Sequence, residues 1–309
     1  MIRFLLRRIC EAVPVFFLII TAVFFMTRFV PGGPFDSEKS VPPETLEALN
    51  SYYGLDEPLP AQYAKFLKNL ARGELGPSYK YHGWSVNELI CEKAQVSLSL
   101  GVCALVFAIA FGLAAGVAAA AFKDRPFGKT LGAVSLAGIC LPSMIVAPLA
   151  ILLFAIKLKC FNAMGWNFAK DAVLPAITLG LFYSAWIARL ARASVAEEMS
   201  KGYVRTARAK GLGGAKIYSV HVLRNAIQPV ISYLGPAAAG LLTGSFVVET
   251  IFQIPGLGRF FISSALDNDY TMIMGCVILY AAFILLFNLV SDLALAAVNP
   301  KIAKGFFKK

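Results

Sequence analysis

The run VSLSLGVCALVFAIAFGLAAGVAAAAF, from Val96 to Phe122, holds no charged residue and is bracketed by Glu92-Lys93 before it and Lys123-Asp124-Arg125 after it. An α-helix rises about 1.5 Å per residue and the hydrocarbon core of a bilayer is about 30 Å thick, so a run of this length crosses the core once. Working outward, the same test finds Ile9 to Val30 upstream and Leu131 to Ile156, Val173 to Leu190, Ala226 to Phe252 and Met272 to Val298 downstream. Six such runs predict an all-α, multi-pass integral membrane protein with six transmembrane helices. The composition agrees: 58% hydrophobic and 15% charged residues are too apolar a mixture for a soluble domain.

The charges between the runs set the orientation. Arg3, Arg7 and Arg8 precede the first run, Lys123, Arg125 and Lys129 follow the second, and Lys301, Lys304, Lys308 and Lys309 close the chain. The connection between the fourth and fifth runs adds Arg192, Lys201, Arg205, Arg208, Lys210, Lys216 and Arg224. By the positive-inside rule these segments, and both termini, are cytoplasmic. The opposite connections are poorer in basic residues, with Lys159 and Lys170 in one and Arg259, Asp267 and Asp269 in the other. A net charge of +11 distributed in this way fits topology and anionic lipid, and no nucleic-acid partner is expected.

The N-terminus imitates a secretory signal, but its apolar run continues to Val30 without a small-x-small cleavage site and reads as a retained span. Cys10, Cys91, Cys103, Cys140, Cys160 and Cys276 show no metal spacing and read as packing residues, with Cys91 and Cys160 alone placed where they could pair. No metal site is expected.

Pro31 to Gln95 is long enough to be translocated whatever its charge, and it carries helix signals. Glu44 to Tyr53 lies between Pro42-Pro43 and Gly54, while Tyr63, Phe66, Leu67 and Leu70 make one apolar helical face ending before Gly73. Ser85-Val86-Asn87-Glu88 fits a capping box opening a short helix into the second span. Two parts follow: residues 1–95, a first span with an external helical cap, and residues 96–309, the transmembrane domain with a cytoplasmic loop at 191–225.

Within that loop, Tyr203-Val204-Arg205-Thr206-Ala207-Arg208-Ala209-Lys210-Gly211-Leu212 can form a short helix. Ala207 and Ala209 permit close approach, and Gly211 suits a left-handed C-terminal cap. A plain basic loop held to anionic headgroups is the simpler alternative. This segment, followed by His221-Val222-Leu223-Arg224-Asn225-Ala226 and Pro229, resembles the inner-membrane permease subunits of binding-protein-dependent ABC importers of the peptide class. Arg205-Thr206 stand where the general importer motif often has an acidic residue and alanine, a variant typical of the peptide branch. Tyr53 to Leu59, Gly73 to Tyr81, Ser245 to Phe252 and Pro255-Gly256-Leu257-Gly258 resemble the B-type subunit of the oligopeptide branch, so the likeness runs through most of the chain.

That resemblance implies a type I importer permease fold in the cell inner membrane and a cargo of oligopeptides. It implies a second homologous permease subunit, two ABC ATPase subunits gripping the Tyr203 to Leu212 helix, an external peptide-binding protein, and contact with membrane lipid. No cofactor is expected in this chain, ATP and Mg being carried by the partners. The same family includes permeases for dipeptides, nickel chelates and other small solutes. From another class, an ion-coupled secondary transporter would need acids near mid-bilayer, and only Glu249 comes close.

An acid inside a span costs about 2.5–3.5 kcal/mol and therefore faces protein or water. Glu249 is expected either to be satisfied by neighbouring helices or to form, with Pro255, Gly256 and Gly258, part of an external gate. Gly112 and Gly116, and Gly240 and Gly244, are small-xxx-small pairs suited to helix packing, and Pro229, Gly235 and Pro236 predict a kinked fifth span. Gly128-Lys129-Thr130 lacks the earlier glycine of a phosphate loop, where Lys123 stands instead. Ser245 and His221 would be about 36 Å apart on one helix, and His82 has no acid or nucleophile at readable spacing, so no catalysis is expected.

Overall fold

The computed structural model of the protein describes residues 2–29, 33–35, 42–81 and 83–298. Val30, Pro31, His82 and the C-terminal Lys301, Lys304, Lys308 and Lys309 lie outside the described residues, as does the side chain of Arg3.

Helix α1, Ile2–Phe29, is followed by two short helices, α2 (Pro43–Tyr53) and α3 (Leu59–Ala71). Both short helices open on proline, which lacks the N–H that a first turn cannot use. Gly54 ends α2 in the left-handed conformation, with φ +67°. Together α2 and α3 form a cap. Tyr63 and Phe66 of α3 lie 5.1 and 5.4 Å, ring to ring, from Phe24 of α1, and Phe35, Tyr53, Tyr79 and Tyr270 make a second aromatic cluster.

Ser85 opens α4 (Val86–Ala121) with a full capping box: its hydroxyl accepts from Glu88 N at 3.3 Å, and its own N–H donates to Glu88 Oε2 at 3.1 Å. The short helix expected here is instead the first turns of one 36-residue helix, about 54 Å long and longer than the bilayer core. Val86 packs with Leu75 and Tyr81 of the cap segment, so α4 starts at the cap end and runs to the opposite end.

Helix α5 (Pro126–Cys140) and helix α6 (Ser143–Ala150) correct the third expected span. It is bent by 107° at Leu141-Pro142, and α6 carries Pro148 and continues as a π-helical stretch, Ile151–Lys157. The bend follows from proline, whose ring disfavours a helical Leu141. Helix α7 (Val173–Ser200) runs parallel to α4, because Gly112 and Gly116 of α4 meet Ser184 and Ala188 of α7 in the same order. A Cβ at Gly112 would lie 2.7 Å from the Ser184 carbonyl oxygen. The small pair therefore packs two helices of this one chain. Since α4 ends and α7 begins at opposite ends of the bundle, α5 and α6 together make one broken crossing.

Helix α8 (Gly202–Ala209), the turn α9 (Gly214–Lys216), a π-helical turn Ile217–Val222 and α10 (Leu223–Ala226) cluster at the end opposite the cap. Helix α11 (Gln228–Leu242) returns towards the cap, with Pro236 inside it. The fifth expected span is interrupted inside its length: α11 ends at Leu242, Gly244 turns at φ +86°, and α12 (Phe246–Ile251) restarts with Ser245 as N-cap, the two together making one span, Gln228–Ile251. Helix α13 (Leu257–Leu266) is short, and α14 (Tyr270–Val298) makes the last crossing beside α1, tied to it by Arg8–Asp292 at 3.1 Å. Among the described residues five helical spans are long and apolar enough to cross a membrane, and the bent pair counted as one span is the sixth.

All six cysteines are free, and only Cys276 is buried. The expectation that they are packing residues fails for the other five. An apolar bilayer gives a span no reason to turn a thiol inwards.

Candidate functional site

The first site is α8. Along it Val204 is fully buried and Ala207 nearly so, three residues apart on one face, against Val195 of α7, Ile217, Val222, Ala226 and Ala120 of α4. Tyr203, Arg205, Thr206, Arg208, Ala209 and Lys210 face outwards. Ala207 thus anchors the helix to its own chain, while Ala209 is the small residue left on the open face.

The anchoring continues in polar bonds. Glu198, a buried acid on the last turn of α7, accepts from Tyr203 Oη at 2.6 Å and pairs with Lys201, which also reaches Glu197 at 3.6 Å. Tyr203 Oη lies 3.4 Å from the His221 carbonyl oxygen as well. The bond to Glu198 raises the Lys201 pKa, and burial followed by the Glu198 contact raises that of Tyr203. Both therefore keep their protons at neutral pH.

The far end of α8 is a Schellman motif. Leu212 N donates to the Ala207 carbonyl at 3.2 Å and Gly211 N to that of Arg208 at 2.9 Å, with Gly211 at φ +77°. A Cβ on Gly211 would meet nothing within 4 Å. The glycine is needed for its backbone conformation alone.

The second site surrounds Glu249. Its side chain is fully buried; Oε1 accepts from Ser97 Oγ at 2.7 Å, Oε2 accepts from Arg259 N at 3.0 Å, and the carboxylate also accepts from Gly258 N. Ser97 Oγ in turn accepts from Leu257 N at 2.8 Å. Leu257, Gly258 and Arg259 are the first three residues of α13, whose N–H groups have no partner within their own helix. Glu249 of α12 and Ser97 of α4 cap α13 from outside, and the carboxylate also faces the positive end of its dipole. Glycine is required around it: a Cβ at Gly256 would lie 2.5 Å from Ser97 Oγ and 2.6 Å from Glu249 Oε2, and one at Gly258 would lie 2.7 Å from Phe246 N. The structure brings Glu249, Gly256 and Gly258 together, with Pro255 in the connecting turn.

Of two further acids, Asp269 was counted from the sequence only as a loop charge and Asp171 was not singled out. Asp269 is fully buried and accepts from Ser78 Oγ, Tyr79 N at 3.2 Å, Thr271 Oγ1 at 2.9 Å and Met272 N at 3.1 Å, clamping the cap segment onto the start of α14. Its position before an apolar run was a readable N-cap signal. Asp171 accepts from Asn162 Nδ2 at 2.7 Å and from the backbone of Asn167 and Phe168 at 2.8 and 2.9 Å, folding the connection before α7.

Among the described residues no three His, Cys, Asp or Glu side chains converge on a metal-sized site. Gly128 of Gly128-Lys129-Thr130 sits in the first turn of α5 against the Phe122 carbonyl. Ser245 caps α12, its hydroxyl accepting from Val248 N at 3.3 Å.

Residues 112–304 match the family described as binding-protein-dependent transport system inner membrane component, and residues 1–84 match the N-terminal part of such membrane components. The oligopeptide transport system permease protein OppB of Haemophilus influenzae is 42% identical over 304 residues, covering 98% of this chain and 99% of that one. OppB of Escherichia coli K12 is 42% identical over the same length and shares. The dipeptide transport system permease protein DppB of Bacillus subtilis is 38% identical over 302 residues, covering 98% of each chain. Among solved structures, an inward-facing form of the MetNI methionine ABC transporter has the same fold over 68% of this chain and 96% of its own, with TM-score 0.56 and 16% identity. A second crystal form gives TM-score 0.58 and 18% identity over the same shares.

Proposed function

The chain belongs to the family of binding-protein-dependent transport system inner membrane components, and from that premise we propose that it is a permease subunit of an ATP-driven importer of oligopeptides. The observation that carries the cargo class is the 42% identity, end to end, to permeases named for oligopeptide transport, against 38% for a dipeptide permease. Dipeptides are the second reading, since that relative matches over the same span.

In this reading the end of the bundle bearing α8 faces the cytoplasm, together with both termini, and the cap faces outwards. A second, homologous permease subunit completes the passage, an external binding protein delivers peptide to the cap side, and two ATPase subunits carry ATP and Mg. Energy enters at Tyr203 to Leu212. The exposed Arg205, Arg208 and Lys210 meet the ATPase, and the inward Val204 and Ala207 with the Tyr203–Glu198 bond transmit its movement to α7 and, through the π-helical turn, to α11. A rigid knob tied to two spans is what a lever needs. At the other end, Glu249, Pro255, Gly256 and Gly258 hold α13 to α12 and α4, and serve as the fixed hinge of an external gate.

Purification of the chain in mild detergent tests the reading. It expects an ATPase and a second permease to accompany it and the assembly, in vesicles, to take up oligopeptides when supplied with ATP and binding protein. An assembly that imports peptide under an ion gradient without ATP would refute it.

A further inference from the structure

Two arginines of α7, Arg189 and Arg192, stand outside both sites. The fourth span was expected to end at Leu190, but α7 continues unbroken to Ser200, placing Arg189 and Arg192 on its wall. Arg189 lies about 24 Å along the helix from Val173, in the last part of a run that an about 30 Å core would hold. An arginine on a transmembrane helix ordinarily faces protein or water, or reaches to the interface. No acidic side chain among the described residues pairs with either one.

Their surroundings suit an anion. Arg189 and Arg192 line a cavity of about 230 Å³ between α5 and α7, with Gly132, Ser135, Leu136 and Ala188. The Arg192 guanidinium lies across Gly132 of α5, where any Cβ would collide with it. Arg189 rests over the Trp186 ring at 5.7 Å, and the Trp186 ring lies 6.2 Å from that of Tyr233 of α11, tilted by 35°. Phe182, Trp186 and Arg189 fall on one face of α7. That face leads to a second cavity, of about 350 Å³, at the bend of the third span, where Phe182 and Tyr183 meet Ser143, Gly244 and Ser245.

Resting on the reading of the chain as a peptide permease, we propose that Arg189 and Arg192 form a carboxylate site in the wall of the passage, and that it receives the C-terminal carboxylate of the cargo. Linear peptides of varied sequence share only their backbone and their two ends, so a passage serving many of them can recognise little else. Two guanidinium forks beside a carboxylate give paired, charge-assisted hydrogen bonds. The aromatic stripe between the two cavities offers apolar and aromatic side chains a sequence-tolerant surface.

The test uses the assembled transporter with its binding protein in vesicles, and one peptide supplied either as the free acid or as the C-terminal amide. Each variant rate is taken relative to the unaltered transporter with the same cargo. Arg189→Gln and Arg192→Gln should each lower uptake of the free acid about tenfold, the worth of one charge-assisted bond, and change the amide less than twofold. Arg189→Lys should recover part of the loss. Gly132→Ala, which displaces only the tip of Arg192, should give a smaller loss with the same preference. Equal losses for both cargoes, or none, would overturn the proposal, as would a loss that disappears in vesicles of purely zwitterionic lipid, which would assign the arginines to headgroups. An unaltered transporter that imports neither peptide would instead remove the peptide reading and the proposal with it.

Discussion

Gly211 offers a substitution series in which backbone conformation and side-chain size make opposite forecasts. The residue sits at φ +77° with open space around its missing Cβ, so a substituent meets no neighbour and the cost is conformational alone. An ordinary L-residue in the left-handed region costs about 1–2 kcal/mol, and a β-branched one lies at the upper end of about 1–3 kcal/mol. Asparagine, though larger than alanine, visits this region readily. At 1.4 kcal/mol per factor of ten, Gly211→Ala should reduce the ratio of correctly ended to frayed α8 about fivefold to thirtyfold, and Gly211→Val by more. Gly211→Asn should stay within about twofold of the original. The assay is peptide taken up per ATP hydrolysed by the assembled transporter in vesicles, with membrane insertion checked separately. Insertion should be unchanged, since the Schellman motif lies outside the spans. If coupling followed side-chain volume, with asparagine worse than alanine, or if the valine variant coupled normally, the conformational argument would be wrong.

Glu249→Gln leaves one acceptor oxygen and turns an NH2 group towards donors, a mismatch worth about 3 kcal/mol. The melting temperature of the purified chain should fall by about 5–10 °C, and an unshifted melt would show that the carboxylate does not hold α13. Asp269→Asn presents the same mismatch to Ser78 and Tyr79, so limited proteolysis should cut the cap segment faster while leaving the spans intact. Tyr203→Phe removes one hydrogen bond of about 1 kcal/mol to Glu198 and should lower coupling a few-fold, an effect absent if α8 is held by Val204 and Ala207 alone. The raised pKa of Lys201 means that its contact with Glu198 is present below the ordinary lysine range and is lost only as pH rises through the higher folded value. The raised Tyr203 pKa likewise keeps its donor hydroxyl, so coupling should be flat from pH 6.5 to 8.5, and a titration within that window would contradict both assignments.

Local signals in the sequence were faithful where one residue decides the geometry. Ser85 and Glu88 announced the start of α4, Gly54 the end of α2 and Gly211 the end of α8, because caps depend on a few neighbouring atoms. Hydropathy located the spans but carries no direction, so the bend at Leu141-Pro142 and the break at Gly244 were hidden inside continuous apolar runs. Pro142 was the available hint for the first of these. Charge did not reveal the length of α7, since a polar stretch beyond Leu190 does not end the helix. The partners of Glu249 and Asp269 come from Ser97 and Ser78, far along the chain, and no spacing rule connects them. Of the Tyr203 to Leu212 motif, the helix and its cap were legible, but the inward turn of Ala207 required the packed neighbours Val195 and Ile217.

The account turns on α8 presenting its outer face to a separate ATPase. A photo-reactive amino acid placed at Arg208 in the assembled transporter addresses that contact directly, with a second placed at Trp84 near the cap as the control. Illumination should join the Arg208 position, and not the Trp84 position, to the ATPase subunit, with the yield changing when ATP is bound. Labelling of lipid alone from Arg208, or capture of the ATPase from Trp84, would contradict it.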